Sequence, residues 1–344
     1  MKKFALPLPR SRWFLLLLTL LLIGPALLLS ACTSREDAKP CDCPSLEVRP
    51  GMWSYLTTGP DLGYARPVLN PSNPREIAFL KSSRNEQQPD PALITGLWTT
   101  NLDSRRQQQV RAGRDMLLQV RWSANGWLAL SKNGQIWKVK ANGDSLTQLT
   151  FSPGHYQPQW SPDGQTLVCA LSGDGAANQH LVLLDKNGTR IPAPRLETRT
   201  GYAHGWSPDG TLLLLDVASD EGPQGLGTYN FRTGQVRFLV THKPTPKGVG
   251  NSCYGAAWLP DSQSFVWCTG QGIYRTNAST GSTTQLRTGC LSRTYLHPSV
   301  SADGRQFIVE RLDQRGVEDG TKIHTETALW LLDIDGRNER KVQF

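Results

Sequence analysis

The chain has 344 residues, with 37 Lys and Arg against 29 Asp and Glu, and a formal net charge of +8. Its 38% hydrophobic content, without a charge block or low-complexity tract, excludes a disordered chain, and 32 Gly, 23 Pro and 11 Trp favour a turn-rich all-β body over a helical one. Lys2, Lys3, Arg10 and Arg12 supply about half of the excess charge from a leader without acids; what remains is too dispersed for a nucleic-acid-binding face.

The first predicted element is an export signal. Lys2 and Lys3 open it, and an apolar run from Trp13 to Leu29 follows, broken only by Thr19, Gly24 and Pro25. The run is short and interrupted for a membrane span. It ends at Leu29-Ser30-Ala31-Cys32, so a small-residue cleavage site is followed directly by cysteine. This resembles the lipobox of bacterial lipoproteins, which implies cleavage after residue 31 and lipidation of Cys32. Several acyl chains, at about 0.8 kcal/mol per buried methylene, anchor a protein stably. Residues 32–50 are polar and Pro-containing and read as a tether.

Residues 51–344 are organised by a repeat. Its full copies are Trp160-Ser161-Pro162-Asp163-Gly164 and Trp206-Ser207-Pro208-Asp209-Gly210. Weaker copies start at Trp122, Trp258 and Val300, and the most decayed starts at Leu69. Proline sets φ for a turn, Asp suits the next position, and Gly accepts a left-handed backbone, so each copy is a tight hairpin loop. A short β-rich run follows each, as in Thr166 to Leu171 and Leu212 to Val217. A third strand such as Leu181 to Leu184, a second tight turn such as Lys186-Asn187-Gly188, and a fourth strand complete the unit. Six anchors spaced at blade length predict an all-β fold, a six-bladed β-propeller of four-stranded antiparallel blades. The anchor tryptophans are expected to pack between blades. The last blade can complete itself with Ala328 to Asp333 and Arg340 to Phe344, or Met52 to Thr57 can add to its edge as a latch.

The motif and its strand-loop-strand-turn sequel resemble the TolB-type propeller repeat over residues 60–344, and are similar to the non-catalytic propellers of prolyl oligopeptidase and dipeptidyl peptidase enzymes. TolB proteins carry an α/β domain before the propeller and are not lipidated. Only a tether is expected here, so a Tol-machinery partner is not implied.

Strand order places the first-to-second and third-to-fourth turns on one face and the longer connections on the other. The long-loop face, around the channel mouth, is the expected binding face. Candidate contacts on it are Arg84, Asp174, Asp220, Glu221, Asp319 and His324. Tyr64, Tyr156, Tyr202, Tyr254 and Tyr295 recur just before the anchors. They suit inter-blade packing, and Tyr156, Tyr202 and Tyr254 could also grip a ligand. His155, His204 and His297 precede anchors at unequal offsets, so no metal site and no cofactor are expected. In an exported protein Cys253 is placed to bridge to Cys268 across a hairpin, with Cys290 as the competing partner, while Cys169 reads as a buried thiol.

There is no Gly-x-Ser-x-Gly, His-Glu-x-x-His, P-loop or dinucleotide fingerprint, and no hydrolase domain is expected after the last blade. The expected function is a membrane-anchored, extracytoplasmic binding or scaffold propeller that recognises an envelope protein or glycan. The alternative is a propeller enzyme, a hydrolase or lyase acting on a glycan or peptide. Paired carboxylates, or a carboxylate with histidine, at the channel mouth would favour the enzyme.

Overall fold

The Trp-Ser-Pro-Asp-Gly segments form turns because the serine side chain acts as a hydrogen-bond hub. Ser161 Oγ donates to Asp163 Oδ1 at 2.5 Å and accepts the Thr166 N–H at 2.9 Å. Gly164, at φ +65°, donates its N–H back to the Ser161 carbonyl. Ser207 with Asp209 and Leu212, and Ser301 with Asp303 and Gln306, repeat the arrangement. Ser207 and Ser301 are completely buried, so their hydroxyls satisfy N–H groups that water cannot reach. In the weaker copy after Trp258, Ser262 takes the left-handed position at φ +55° and Asp261 Oδ1 accepts the N–H groups of Gln263 and Ser264.

The computed structural model describes residues 53–55, 61–84, 93–112, 117–172, 179–192, 200–217, 225–241, 253–270, 272–290, 292–316 and 322–344. Its regular elements are all strands, in six sheets. Blade 1 comprises Asp61–Asn70, Asn73–Arg84, Leu93–Asn101 and Gln107–Arg111. Blade 2 comprises Leu117–Trp122, Trp127–Lys132, Gln135–Lys140 and Thr147–Gln148. Blade 3 comprises His155–Trp160, Thr166–Ser172, Gln179–Asp185 and Arg190–Ile191. Blade 4 comprises Thr200–Trp206, Leu212–Val217, Gly225–Asn230 and Val236–Thr241. Blade 5 comprises Ala256–Trp258, Ser264–Thr269, Gly272–Asn277 and Thr283–Thr288. Blade 6 comprises Arg293–Val300, Gln306–Gly316, Lys322–Asp333 and Arg340–Lys341. Strands pair antiparallel in chain order within each blade, so the fold is the expected six-bladed propeller. Both ways of finishing the last blade are used. Arg340–Lys341 pairs with one half of Lys322–Asp333, and Trp53–Tyr55 adds parallel to the other half. That addition covers backbone groups of an edge strand.

The core is six clusters, one at each blade junction. Trp122 joins Val68, Leu80 and Leu97 of blade 1 to Leu128 and Val139 of blade 2. Trp160 joins Ile136 and Leu149 of blade 2 to Leu167 and Val182 of blade 3. Trp206 packs at the junction of blades 3 and 4 and stacks on Phe231 at 4.2 Å. Trp258 lies with Leu214 and Leu226 of blade 4 and Phe265 of blade 5. Tyr295 and Phe307 of blade 6 meet Cys268 and Ile273 of blade 5. Blade 6 then meets blade 1 through Ile308, Leu329 and Leu331 against Leu69, Ile77 and Phe79, with Phe344 stacked on Tyr64 at 4.3 Å. An ionic clamp reinforces the junction of blades 5 and 6: Glu339 pairs with Arg287 and, at 2.9 Å, with Arg311, which also holds Asp313. Trp122, Trp160 and Trp258 are 7–8% exposed, as expected for anchors that bind one blade to the next.

Replacing Trp160 by alanine should cost about 3–5 kcal/mol in equilibrium denaturation, the usual loss for a large buried aromatic; a loss below about 1 kcal/mol would remove it from the junction. Deleting residues 51–58 should lower the melting temperature by uncovering the edge of blade 6, and an unchanged melting curve would show that the added strand contributes nothing.

Candidate functional site

The first strand of each blade contacts the first strands of both neighbouring blades, closing a ring around a central channel. These inner strands are irregular. Their pairing registers shift between Ala65 and Val68, Leu117 and Gln119, Tyr156 and Gln159, Ala203 and Gly205, and Leu296 and Ser299. Arg66, Gln157 and His297 adopt left-handed φ of +50°, +54° and +48°, and each immediately precedes a proline. Proline has no N–H for the ladder and is accommodated at a bulge, which bends the strand and re-aims its side chains. The strain, on the order of 1–3 kcal/mol per residue, is offset by a repeated device. In all three cases the strained N–H donates to the preceding blade: Arg66 to Glu310 Oε2 at 2.9 Å, Gln157 to Ser131 Oγ at 3.0 Å, and His297 to the Tyr254 carbonyl at 3.1 Å. Gly255 supports the last of these. At φ +134° it lies so close to blade 6 that a Cβ would come within 3.1 Å of the His297 Cα.

The bulges bring polar side chains from several blades together. Glu310 Oε2 accepts both the Arg66 N–H and, at 2.8 Å, His297 Nδ1. Arg121 donates to Gln159 Oε1 and to its neighbour's carbonyl on Val120, both at 2.8 Å, and Gln159 Nε2 donates onward to the Ala203 carbonyl. Burial, with the nearby Arg66 guanidinium, lowers the Arg121 pKa to about 10. Burial also lowers that of Arg66, against the opposing pull of Glu310. Both remain charged at neutral pH. Burial pushes His297 below 6.5 despite Glu310, and the two arginines push it the same way. Among the described residues, the bulges therefore bring together two guanidinium cations, one carboxylate and a neutral imidazole.

A second group lies between blades 4 and 5. His204 Nε2 and Asp216 Oδ1 are 2.9 Å apart, with side chains 10% and 30% exposed. Burial opposes the charge on His204, but Asp216 and Cys253 outweigh it and raise its pKa to about 10. Among the described residues, His204, Asp216 and Cys253 are the set of His, Cys and acid groups whose ligand atoms all lie within 4.8 Å of one another. Comparing histidine offsets could not reveal this set, because the partners of His204 are an acid on the next strand and a cysteine of the next blade.

The tyrosines divide. Tyr64 and Tyr295 pack at junctions, Tyr156 and Tyr254 are half-buried, and Tyr202 is 39% exposed. Phe151, in the connection from blade 2 to the inner strand of blade 3, is 81% exposed and lies on the long-loop face. It stood out in no sequence pattern. Arg84 and His324 lie at the ends of the long strands Asn73–Arg84 and Lys322–Asp333 that point to the same face. Asp174, Asp220, Glu221, Asp319 and the lipidation candidate Cys32 lie outside the described residues. The expected Cys253–Cys268 bridge is corrected, since both are free thiols. Cys268 opposes Gly255 in the ladder and faces the junction with blade 6, whereas Cys253 packs on the blade 4 side. Cys290, the competing partner, is disulfide-bonded, but to neither of them.

In fold the chain is a six-bladed propeller similar to those of TolB proteins. No family model matches it. It is 26% identical over 195 residues to the uncharacterized protein Atu1656 of Agrobacterium fabrum, an alignment covering 54% of this chain and 57% of that protein, so it spans a little over half the length of this relative. The structure of a putative TolB from Agrobacterium tumefaciens superposes with a TM-score of 0.56 at 20% identity, over 71% of this chain and 86% of that one. TolB from Acinetobacter baumannii gives a TM-score of 0.55 at 18% identity, over 83% and 64%. These structures share the architecture.

By NMR titration the His297 ring should titrate below 6.5. Since folding depresses this pKa, the contribution to stability is complete above 6.5 and is lost as pH falls through the folded value. Arg121→Gln should move the titration up and Glu310→Gln should move it down. A midpoint at or above 6.5, or shifts of the opposite sign, would contradict the channel electrostatics.

Proposed function

We propose that this protein is a membrane-anchored, extracytoplasmic binding propeller whose long-loop face holds an envelope protein or glycan, with an anionic group of that ligand directed to the channel. The observation carrying this reading is the excess cation formed by Arg66 and Arg121 against Glu310. Buried charge without full compensation is costly, and an anion from a ligand would balance it. The exposed Phe151 and Tyr202 suit the apolar part of such a ligand. The leader and the Leu29-Ser30-Ala31-Cys32 segment support export and lipid anchoring at Cys32, and the polar stretch up to residue 50 supports a tether.

A second reading is a propeller enzyme acting on a glycan or peptide. Its support is the pairing of carboxylate with histidine at His297–Glu310 and His204–Asp216, both with shifted histidine pKa values. Of the two, His297 is the neutral imidazole at physiological pH and so the one able to accept a proton.

The test is an array of acidic and neutral glycans, run alongside capture from crosslinked envelopes. Wild type should retain an acidic ligand, and Arg121→Gln and Tyr202→Ala should each weaken retention. Equal binding by these variants would overturn the placement of the ligand. A retained ligand recovered with unchanged mass supports the binder, whereas cleavage that Glu310→Gln abolishes establishes the enzyme.

A further inference from the structure

His204, Asp216 and Cys253 are brought together by the ring and by nothing local. His204 sits on the inner strand of blade 4, two residues before the anchor Trp206. Asp216 is on the second strand of the same blade, near the end that reaches the long-loop face. Cys253 precedes the inner strand of blade 5. The register shift between Ala203 and Gly205 lies at His204 itself, so the irregularity that shapes the channel also orients this imidazole. The Cys253 Sγ is held in turn by the Gly255 N–H at 3.4 Å.

The geometry points to a metal site: we propose that His204, Asp216 and Cys253 bind a single zinc ion through imidazole nitrogen, carboxylate oxygen and thiolate sulfur. Their ligand atoms already lie within 4.8 Å of one another, and the imidazole and carboxylate are 2.9 Å apart. Tetrahedral zinc, with bonds of about 2.0–2.3 Å, needs its ligand atoms roughly 3.3–3.8 Å apart, so small side-chain rotations suffice. The donor set selects the metal. One sulfur and one nitrogen disfavour magnesium and calcium, which take oxygen, and three donors of mixed softness suit zinc. The charges also close once zinc displaces the protons from the His204 imidazolium and the Cys253 thiol to solvent: a thiolate and a carboxylate neutralise the divalent cation, with a neutral imidazole completing the set. Cys253 is the half-buried thiol among the described free ones, whereas Cys169 and Cys268 are buried in blade junctions, with burial pushing Cys169 up to about 12 and Cys268 well above its ordinary value. Three protein donors leave a fourth position for water or for a donor from a bound ligand.

Cobalt(II) reads the site directly. Titrated into the reduced, metal-free protein, it should produce the sulfur-to-cobalt charge-transfer band and the visible bands of a tetrahedral site, saturating at one equivalent and bleached by zinc. Cys253→Ala should lose the charge-transfer band, His204→Ala and Asp216→Asn should weaken cobalt binding, and Cys268→Ala should keep the band, with circular dichroism confirming that each variant is folded. A second readout needs no variant. Iodoacetamide should alkylate Cys253 in the metal-free protein, and zinc should protect it. An ion pair beside an unligated thiol would give no charge-transfer band and equal alkylation with and without zinc, and either result would overturn the site, as would a band that survives Cys253→Ala.

Discussion

A four-stranded blade is too thin to bury its own apolar faces, and the molecule is built around that constraint. Each blade must lend one face to the blade before it and one to the blade after it. The six clusters accordingly straddle six junctions, and the anchor tryptophans lie in the wedge between sheets rather than within one. Burial of this kind is cooperative around the ring, because a missing junction exposes two faces at once. The closing junction accordingly carries Phe344 against Tyr64 and Phe79, and an added strand at the outer edge of blade 6.

The same ring sets the chemistry of the channel. Six inner strands crowd one axis, and three of them carry an X-Pro pair where the ladder breaks. Each break leaves a left-handed residue whose N–H donates to the preceding blade, so local strain is converted into a tie between neighbours. The side chains turned by these bulges then interact across blades. Arg121 reaches Gln159, Gln159 reaches Ala203, and Trp258 Nε1 reaches the Gly205 carbonyl at 3.1 Å, so the polar network runs from blade to blade as the apolar one does. Charge held in such a setting is screened weakly, which makes the channel the place where a ligand's charge counts most.

The turn motif was legible because its chemistry is local. Pro, Asp and Gly set three successive backbone positions, and serine closes the loop within five residues. Blade count, strand order and the burial of Trp122, Trp160 and Trp258 follow from it. The channel was less legible. Arg66-Pro67, Gln157-Pro158 and His297-Pro298 announce bulges, since proline inside a strand has few other homes, but no pattern along the chain says which side chains a bulge will face. The Cys253–Cys268 expectation failed for a related reason. Counting residues about a turn gives separation along the strands and does not fix the packing of a residue before the strand begins: Cys253 precedes Ala256–Trp258 and packs with the cluster between blades 4 and 5, whereas Cys268 packs with the cluster between blades 5 and 6.

The sequence by itself determined the repeat, the turns and the six sheets, because each depends on residues within a few positions of one another. Only the tertiary structure decided that Arg66 and Arg121 share the channel with Glu310 and His297, and that His204 meets an acid of its own blade and a cysteine of the next. Those meetings join residues tens to hundreds of positions apart. They exist only because burying every blade face requires the sheets to close on a common axis, and closure brings the inner strands face to face.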